Sequence, residues 1–423
     1  MTTIASVHAR QILDCKARPM VEVEVTTAGS HRGRGAAPTG QSVGMYESFV
    51  LRDNDPGEYR GLGVRKAVDN VNSVIAPALQ GMDISDQSAL DRAMIDLDGT
   101  PNKSKLGGNA IYSVSVACLR AAAAATGRPV YEHIARRELT TVPVPSFNVV
   151  NGGKNGTVYQ AFNEFLIMPY KAETIGEAVE IGVEVFDRLS HVIEKRTGGP
   201  AAVARSYGYA APSADPRAVM EILAEAVDAC GYREKVAYAL DCASSETYDS
   251  ETKTYELAGK RVSSSELIEF TKNLTEEFDF VFIEDLLDEN DWAGFSAAVR
   301  ELKRTIILGD DLIVTNPAFL ERAIRERAVD GFILKPNQVG TITEALATYD
   351  KAAAHGLLAV PSGRSGGVVD DIVMDLSLGL QVPFQKNGAP RSGERIEKLN
   401  FLMRAADLLR ATRLADVQAI ARF

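Results

Sequence analysis

The chain reads as an α/β protein, a parallel (βα) barrel preceded by an α+β cap. Two stretches of sequence predict this. From about residue 142 onward, the short apolar runs VAYALD, FVFIED, TIILGD, GFILK and LLAVPS alternate with amphipathic segments, as repeated βα units do. Before that, VEVEVTTAG alternates at period two, and RKAVDNVNSVIAPAL and NAIYSVSVACLRAAAAATG carry helical spacing. A length of 423 residues suits one large barrel plus a smaller unit, because single cores stop growing near ~250–300 residues. The alanine-rich helix stops at Gly127 with Pro129 behind it, which sets the expected units at 1–140 for the cap and 141–423 for the barrel.

Composition narrows the function. The formal net charge is -11 with acidic residues spread along the chain, so no basic stripe is available for phosphate backbones or anionic lipid. Nucleic acid and membrane are therefore not expected as partners. The opening MTTIASVHARQILD lacks the charged start and apolar centre of a signal peptide, and no run of about 18 apolar residues occurs, so a cytoplasmic location is expected. Cys15, Cys118, Cys230 and Cys242 lie far apart without CxxC spacing, which argues for reduced thiols over a zinc knot or disulfide framework.

Four apolar runs end in a charged residue: Asp241, Glu284, Asp310 and Lys335. Taken singly, each could simply open a solvated loop. Four at consecutive strand ends argue for a site, because barrel active sites are built at the C-terminal ends of the strands. A doubly wound open sheet would gather strand ends on one edge as well, so the pattern fixes the site more firmly than the closure. No strand is followed by GxGxxG and no GxxxxGK[ST] occurs, so nucleotide-binding folds lack their phosphate loop.

Three carboxylates without histidine or cysteine form a hard oxygen set, suited to Mg²⁺ rather than zinc or copper. A lysine facing such cations has its ammonium disfavoured, which lowers its pKa and lets Lys335 act as a base. The matching substrate proton lies alpha to a carboxylate, where its removal leaves an enediolate that magnesium can stabilise. Arg364, Ser365 and Lys386 fall near later strand ends and could hold phosphate or carboxylate.

These residues sit in a longer likeness. ILDCKARPMVEVEV, MIDLDGTPNKSKLGGNA, VPVPSFNVVNGG, NEFLIMP, LDCASSETY, IEDLLDENDW, GDDLIVTN, LKPNQVGTITEA and RSGERIEKLN together resemble the enolase family over nearly the whole chain. The resemblance implies an enolase-type TIM barrel whose first strands are partly antiparallel, an N-terminal α+β domain, one or two magnesium ions, and a homodimer or higher homo-oligomer. It casts Asp241, Glu284 and Asp310 as metal ligands and Lys335 as the general base. It further implies Glu164 as a carboxylate near the substrate, Ser42 as a ligand to a second magnesium, Arg364 and Ser365 as phosphate-holding groups, and Lys386 as the lysine that meets the substrate carboxylate.

Three departures bear on function. Where enolases read GDEGGYAP this chain reads ARSYGYAAP, so the general-acid glutamate is replaced by Ser206 beside Arg205. GGKNG puts Asn155 at one family histidine, and SGRSGGV puts Gly363 at another. All three losses fall on the side that handles the substrate's hydroxyl and phosphate. Ordinary dehydration of 2-phosphoglycerate to phosphoenolpyruvate is therefore disfavoured, while the retained Lys335 and metal ligands argue against a catalytically dead binding protein. The expected substrate is a small phosphorylated carboxylate. Within that family the chain resembles the carboxyphosphonoenolpyruvate synthases of phosphonate and phosphinate antibiotic pathways, with Arg205, Lys154 and Arg364 expected to hold a phosphonate donor as second reactant.

Overall fold

In the computed structural model, which describes residues 1–40, 43–153, 158–409 and 413–423, the chain opens on an antiparallel meander of β1 (Ile4–Leu13), β2 (Pro19–Thr27) and β3 (Arg32–Ala36). The period-two pattern of β2 sends Val21, Val23 and Val25 into a core where each is fully buried. Glu22 and Glu24 face the other way and pair with Arg10 and Arg34 on the flanking strands. The helices of this unit include α1 (Gln87–Asp98) and α2 (Gly108–Thr126), with α2 lying against β2 and β3. That approach is so close that a Cβ on Gly33 would stand 2.1 Å from the Ala117 carbonyl oxygen, and one on Gly35 2.2 Å from that of Ser113. Glycine is required at both positions. Gly127, at φ 67°, ends α2 in the left-handed conformation.

The second unit is a ring of strands: β4 (Val144–Gly153), β5 (Gln160–Met168), β6 (Ala237–Asp241), β7 (Phe280–Glu284), β8 (Ile306–Gly309), β9 (Gly331–Leu334), β10 (Leu358–Pro361) and β11 (Phe384–Lys386). Strands β6 to β10 pair in parallel and β11 pairs in parallel with β4, while a bridge between Ser362 and Lys386 joins β10 to β11. The sheet therefore closes into a barrel, and the open-sheet alternative falls. β5 runs antiparallel to both β4 and β6. A connection as short as that between Gly153 and Gln160 can turn the chain back but cannot carry a crossover.

Two helices, α3 (Ile175–Thr197) and α4 (Pro216–Ala229), follow β5. Later strands alternate with α5 (Ser264–Glu277), α6 (Trp292–Glu301), α7 (Pro317–Glu326), α8 (Ile342–Ala354) and α9 (Ile372–Gly379), and α10 (Gly393–Leu408) follows β11. From α3 to α9 every start has a capping side chain: Thr174, Asp215, Ser263, Asp291, Asn316, Thr341 and Asp371 each accept an N–H of the first turn. With helices outside and side chains inside, strands such as FVFIE are buried on both faces, so they read as continuous apolar runs. Inside the barrel Phe282 stacks on Phe384 with ring centroids 5.4 Å apart. The four cysteines are free, with Cys118 and Cys242 buried. Among the described residues no helix is long and apolar enough to cross a membrane.

Candidate active site

Strand register sets the site. Glu164 on β5 lies opposite Asp241 at the end of β6, and Asp241 lies beside Glu284 at the end of β7, so three carboxylates stand in a row across neighbouring strands. Such a row is self-repelling unless positive charge is placed on it. Lys386 provides that charge from β11. Its Nζ is 2.9 Å from Asp241 Oδ2 and 3.5 Å from Glu164 Oε2, and it also donates to Glu284 Oε2.

A second cluster continues round the rim. Lys335, directly after β9, donates its Nζ to Asp310 Oδ2, and Gln338 Nε2 donates to Asp310 Oδ1 at 2.9 Å. The Lys335 backbone N–H is fixed by a 2.9 Å bond to Thr315 Oγ1. Asp285 sits in a left-handed conformation at φ 44° and accepts the backbone N–H groups of Asp310 and Asp311, each at 2.8 Å. The strained aspartate thereby braces the loop that presents Asp310.

Burial and like charge govern protonation here. Burial, reinforced by Asp241, pushes Glu284 well above the carboxylate range, and burial also raises Glu164 although Lys386 opposes it. Burial together with Asp310 pushes Asp285 up to about 8. Asp310 is held low despite its burial because the Lys335 ammonium is in contact. Burial alone would depress Lys335, but Asp310 and Glu284 outweigh it and carry the amine above the ordinary lysine value. In this structure the anions Asp310 and Glu284 prevail over the cations Arg364 and Lys386; the expected depression concerns Lys335 facing a bound cation. The Cys242 thiol is driven far upward by burial and the neighbouring Asp241, leaving it inert as a nucleophile.

The donor set fits a divalent cation. Glu284 is fully buried and its Oε1 has no hydrogen-bond partner, so a carboxylate oxygen with unmet demand sits in the row. Asp285, Asp310 and Asp311 also bring carboxylate oxygens close enough together to share an ion. Both oxygens of Asp285 accept backbone N–H groups, just as those of Asp310 accept from Lys335 and Gln338; Asp241, Glu284 and Asp310, the set that the resemblance implies, likewise offer only oxygen.

Most of the residues singled out in the sequence share one pocket: Glu164, Ser206, Asp241, Asp310, Lys335, Gly363, Arg364, Ser365 and Lys386 line it, and Glu284 lies beneath, held by Lys386. Ser365 Oγ is a buried atom without a partner there. Ser206 is buried, but Arg205 beside it is exposed and does not line the pocket. Arg364 is gripped by Glu47 through bonds of 2.8 and 2.9 Å, so much of its guanidinium is committed to the protein. Ser42, Lys154 and Asn155 lie outside the described residues.

The chain matches the enolase N-terminal domain over residues 4–134 and the enolase C-terminal TIM barrel domain over residues 139–418. It belongs to the enolase family. As an enolase-family protein it has the fold of an enzyme of that superfamily, whose members usually bind Mg²⁺. Within this enolase-family site, Glu47, Asp285, Gln338, Arg395 and Lys398 carry contacts that the sequence reading did not single out. Spacing held one available signal: Arg395 and Lys398 are three apart on a helix and so share a face.

Proposed function

We propose that this protein is a magnesium-dependent enzyme acting on 2-phosphoglycerate- or phosphoenolpyruvate-like substrates, which removes the proton alpha to the carboxylate of the saturated, 2-phosphoglycerate-like form and is specialised as a carboxyphosphonoenolpyruvate synthase rather than a glycolytic hydratase. The observation that carries the specialised half is Ser206. It lies buried in the wall of the pocket, where the family resemblance puts a general-acid glutamate, while the carboxylates and lysines around it are kept. A serine hydroxyl is a far poorer proton donor at neutral pH than a carboxylic acid, so expulsion of hydroxide loses its help.

Asp241, Glu284 and Asp310 would hold magnesium, which when bound supplies positive charge to the substrate carboxylate. Lys335 takes the alpha proton. In the arrangement described, Asp310 keeps its amine protonated. When that carboxylate's charge is engaged by a cation, burial and the neighbouring Arg364 and Lys386 press the amine toward its neutral, basic form. Lys386, freed from the carboxylate row, can then meet the substrate carboxylate. Ser365 Oγ offers a further hydrogen bond from the pocket wall.

The experiment is a continuous assay of phosphoenolpyruvate formation from 2-phosphoglycerate with saturating magnesium. The rate is expected to fall below that of an ordinary enolase by about 10²–10⁴-fold, the usual contribution of a general acid. Turnover at the ordinary rate would overturn the specialised reading.

A further inference from the structure

The function proposed above does not use the face of α10 that turns toward the pocket. Arg395 and Lys398 both line the pocket and are about 95% buried, at 4% and 5% exposure. Burying two cations this deeply is costly unless negative charge meets them. That charge comes from Asp371, the α9 cap, which attracts Lys398, and from Glu394, which is in ion-pair contact with both cations, at 3.2 Å from Arg395 and close to Lys398. Its Oε1 nevertheless has no aligned hydrogen bond, so the pairing with Lys398 is one of proximity rather than of saturated geometry.

Room for Lys398 comes from the loop after β10. A Cβ on Gly363 would lie 2.4 Å from Lys398 Nζ and 3.3 Å from its Cε, so the ammonium occupies the space that any larger residue at 363 would claim. A Cβ on Gly388 would likewise lie 2.5 Å from Arg395 Nε, so a second glycine lets the guanidinium pass. Arg395 also has its guanidinium carbon over the Tyr207 ring, 4.7 Å from the centroid, on the loop that carries Ser206. Tyr207 in turn donates its hydroxyl to the Cys15 carbonyl at 2.8 Å. Lys16, next in sequence, has its amine pushed down to about 8, chiefly by burial and further by the cations Arg18 and Arg395.

We propose that Lys398 and Arg395, admitted to the pocket by Gly363 and Gly388, form an anion subsite of their own that binds the tetrahedral oxyanion of a second reactant, of phosphonate or phosphate type. This rests on the function proposed above and deepens it. The planar guanidinium, fixed by Tyr207, presents a fork to two oxygens, and the Lys398 ammonium adds a point charge beside it. Because the two groups already sit in place, little ordering is left for the ligand to drive.

The test is calorimetric titration of methylphosphonate into the full-length protein with magnesium and saturating phosphoenolpyruvate. Wild type is expected to bind it. Lys398→Met and Arg395→Gln should each weaken binding at least 10-fold, and Lys398→Arg should recover most of it. Gly363→Leu, which keeps both cations but takes the space of the ammonium, should lose binding as well, and thermal melts establish that each variant is folded. Methylphosphonate that phosphoenolpyruvate displaces would place the anion in the first substrate's phosphate site and overturn the subsite, as would equal binding by folded Lys398→Met and Gly363→Leu. Exchange of the alpha hydrogen of 2-phosphoglycerate by wild type with magnesium is scored separately. If exchange is present without methylphosphonate binding, only the subsite fails; if it is absent, the underlying function fails.

Discussion

Lys386 holds together three carboxylates that would otherwise repel one another on adjacent strands. Replacing it by methionine leaves that buried charge unmet, which should destabilise the metal-free protein by about 3–5 kcal/mol. Magnesium should return part of the loss, since a cation in the same row meets the same demand; melting curves with and without the ion check this. Ser206→Glu is the complementary substitution. If the missing acid is what limits dehydration, the variant should form phosphoenolpyruvate from 2-phosphoglycerate at least ~10-fold faster than wild type. The placement of Asp241, Glu284, Asp310 and Lys335 at strand ends was legible in the sequence because each closes an apolar run. The protonation of Lys335 was not, because it depends on Asp310 and Glu284, which are remote in sequence and brought to it only by the barrel. Arg364 shows the same limit from another side, since its commitment to Glu47 spans two units of the fold.

At the scale of elements, the βα repeat was readable from periodicity and from the caps that follow the strands. The antiparallel direction of β5 was implied by resemblance, not by its residues, since a buried strand looks alike in either direction. The packing of α2 on β3 was likewise hidden, because nothing local in RGRGA announces which helix will cross it. Gly35→Ala should cost about 1–3 kcal/mol, as its Cβ would meet backbone rather than a movable side chain, and a denaturant titration reads this directly. Helix α9 carries an ionisable group of a different kind. Burial, against the pull of Arg120, pushes the Asp375 carboxyl up to about 7. A raised carboxyl favours the folded state fully below its unfolded pKa, and that contribution is lost as pH rises from about 4 through 7. Asp375→Asn should therefore gain stability over wild type across that window, by an amount on the order of 4 kcal/mol at pH 8. Unchanged pH dependence in the variant would contradict the assignment.

At the scale of the whole molecule, two cores meet on α2. Tyr112, Val116 and Leu119 of α2 belong to the barrel's apolar core, while other faces of the same helix fill the core of the cap. Cap residues reach the pocket through Glu47 and Gly40, so the site is completed by both units. Ser206 and Gly363 lie on loops of the barrel, whereas the carboxylate row is set by the register of β5, β6 and β7, so changes at the two loop positions leave the row in place. Proton abstraction is thus expected to outlive dehydration. The central claim is that Lys335 and a cation held by Asp241, Glu284 and Asp310 share a carbanion alpha to a carboxylate. It is tested most directly by proton NMR of 2-phosphoglycerate in deuterated buffer. The alpha hydrogen should exchange only when magnesium is present, and Lys335→Ala should abolish that exchange. No exchange by wild type with magnesium, or undiminished exchange in Lys335→Ala, would contradict the account.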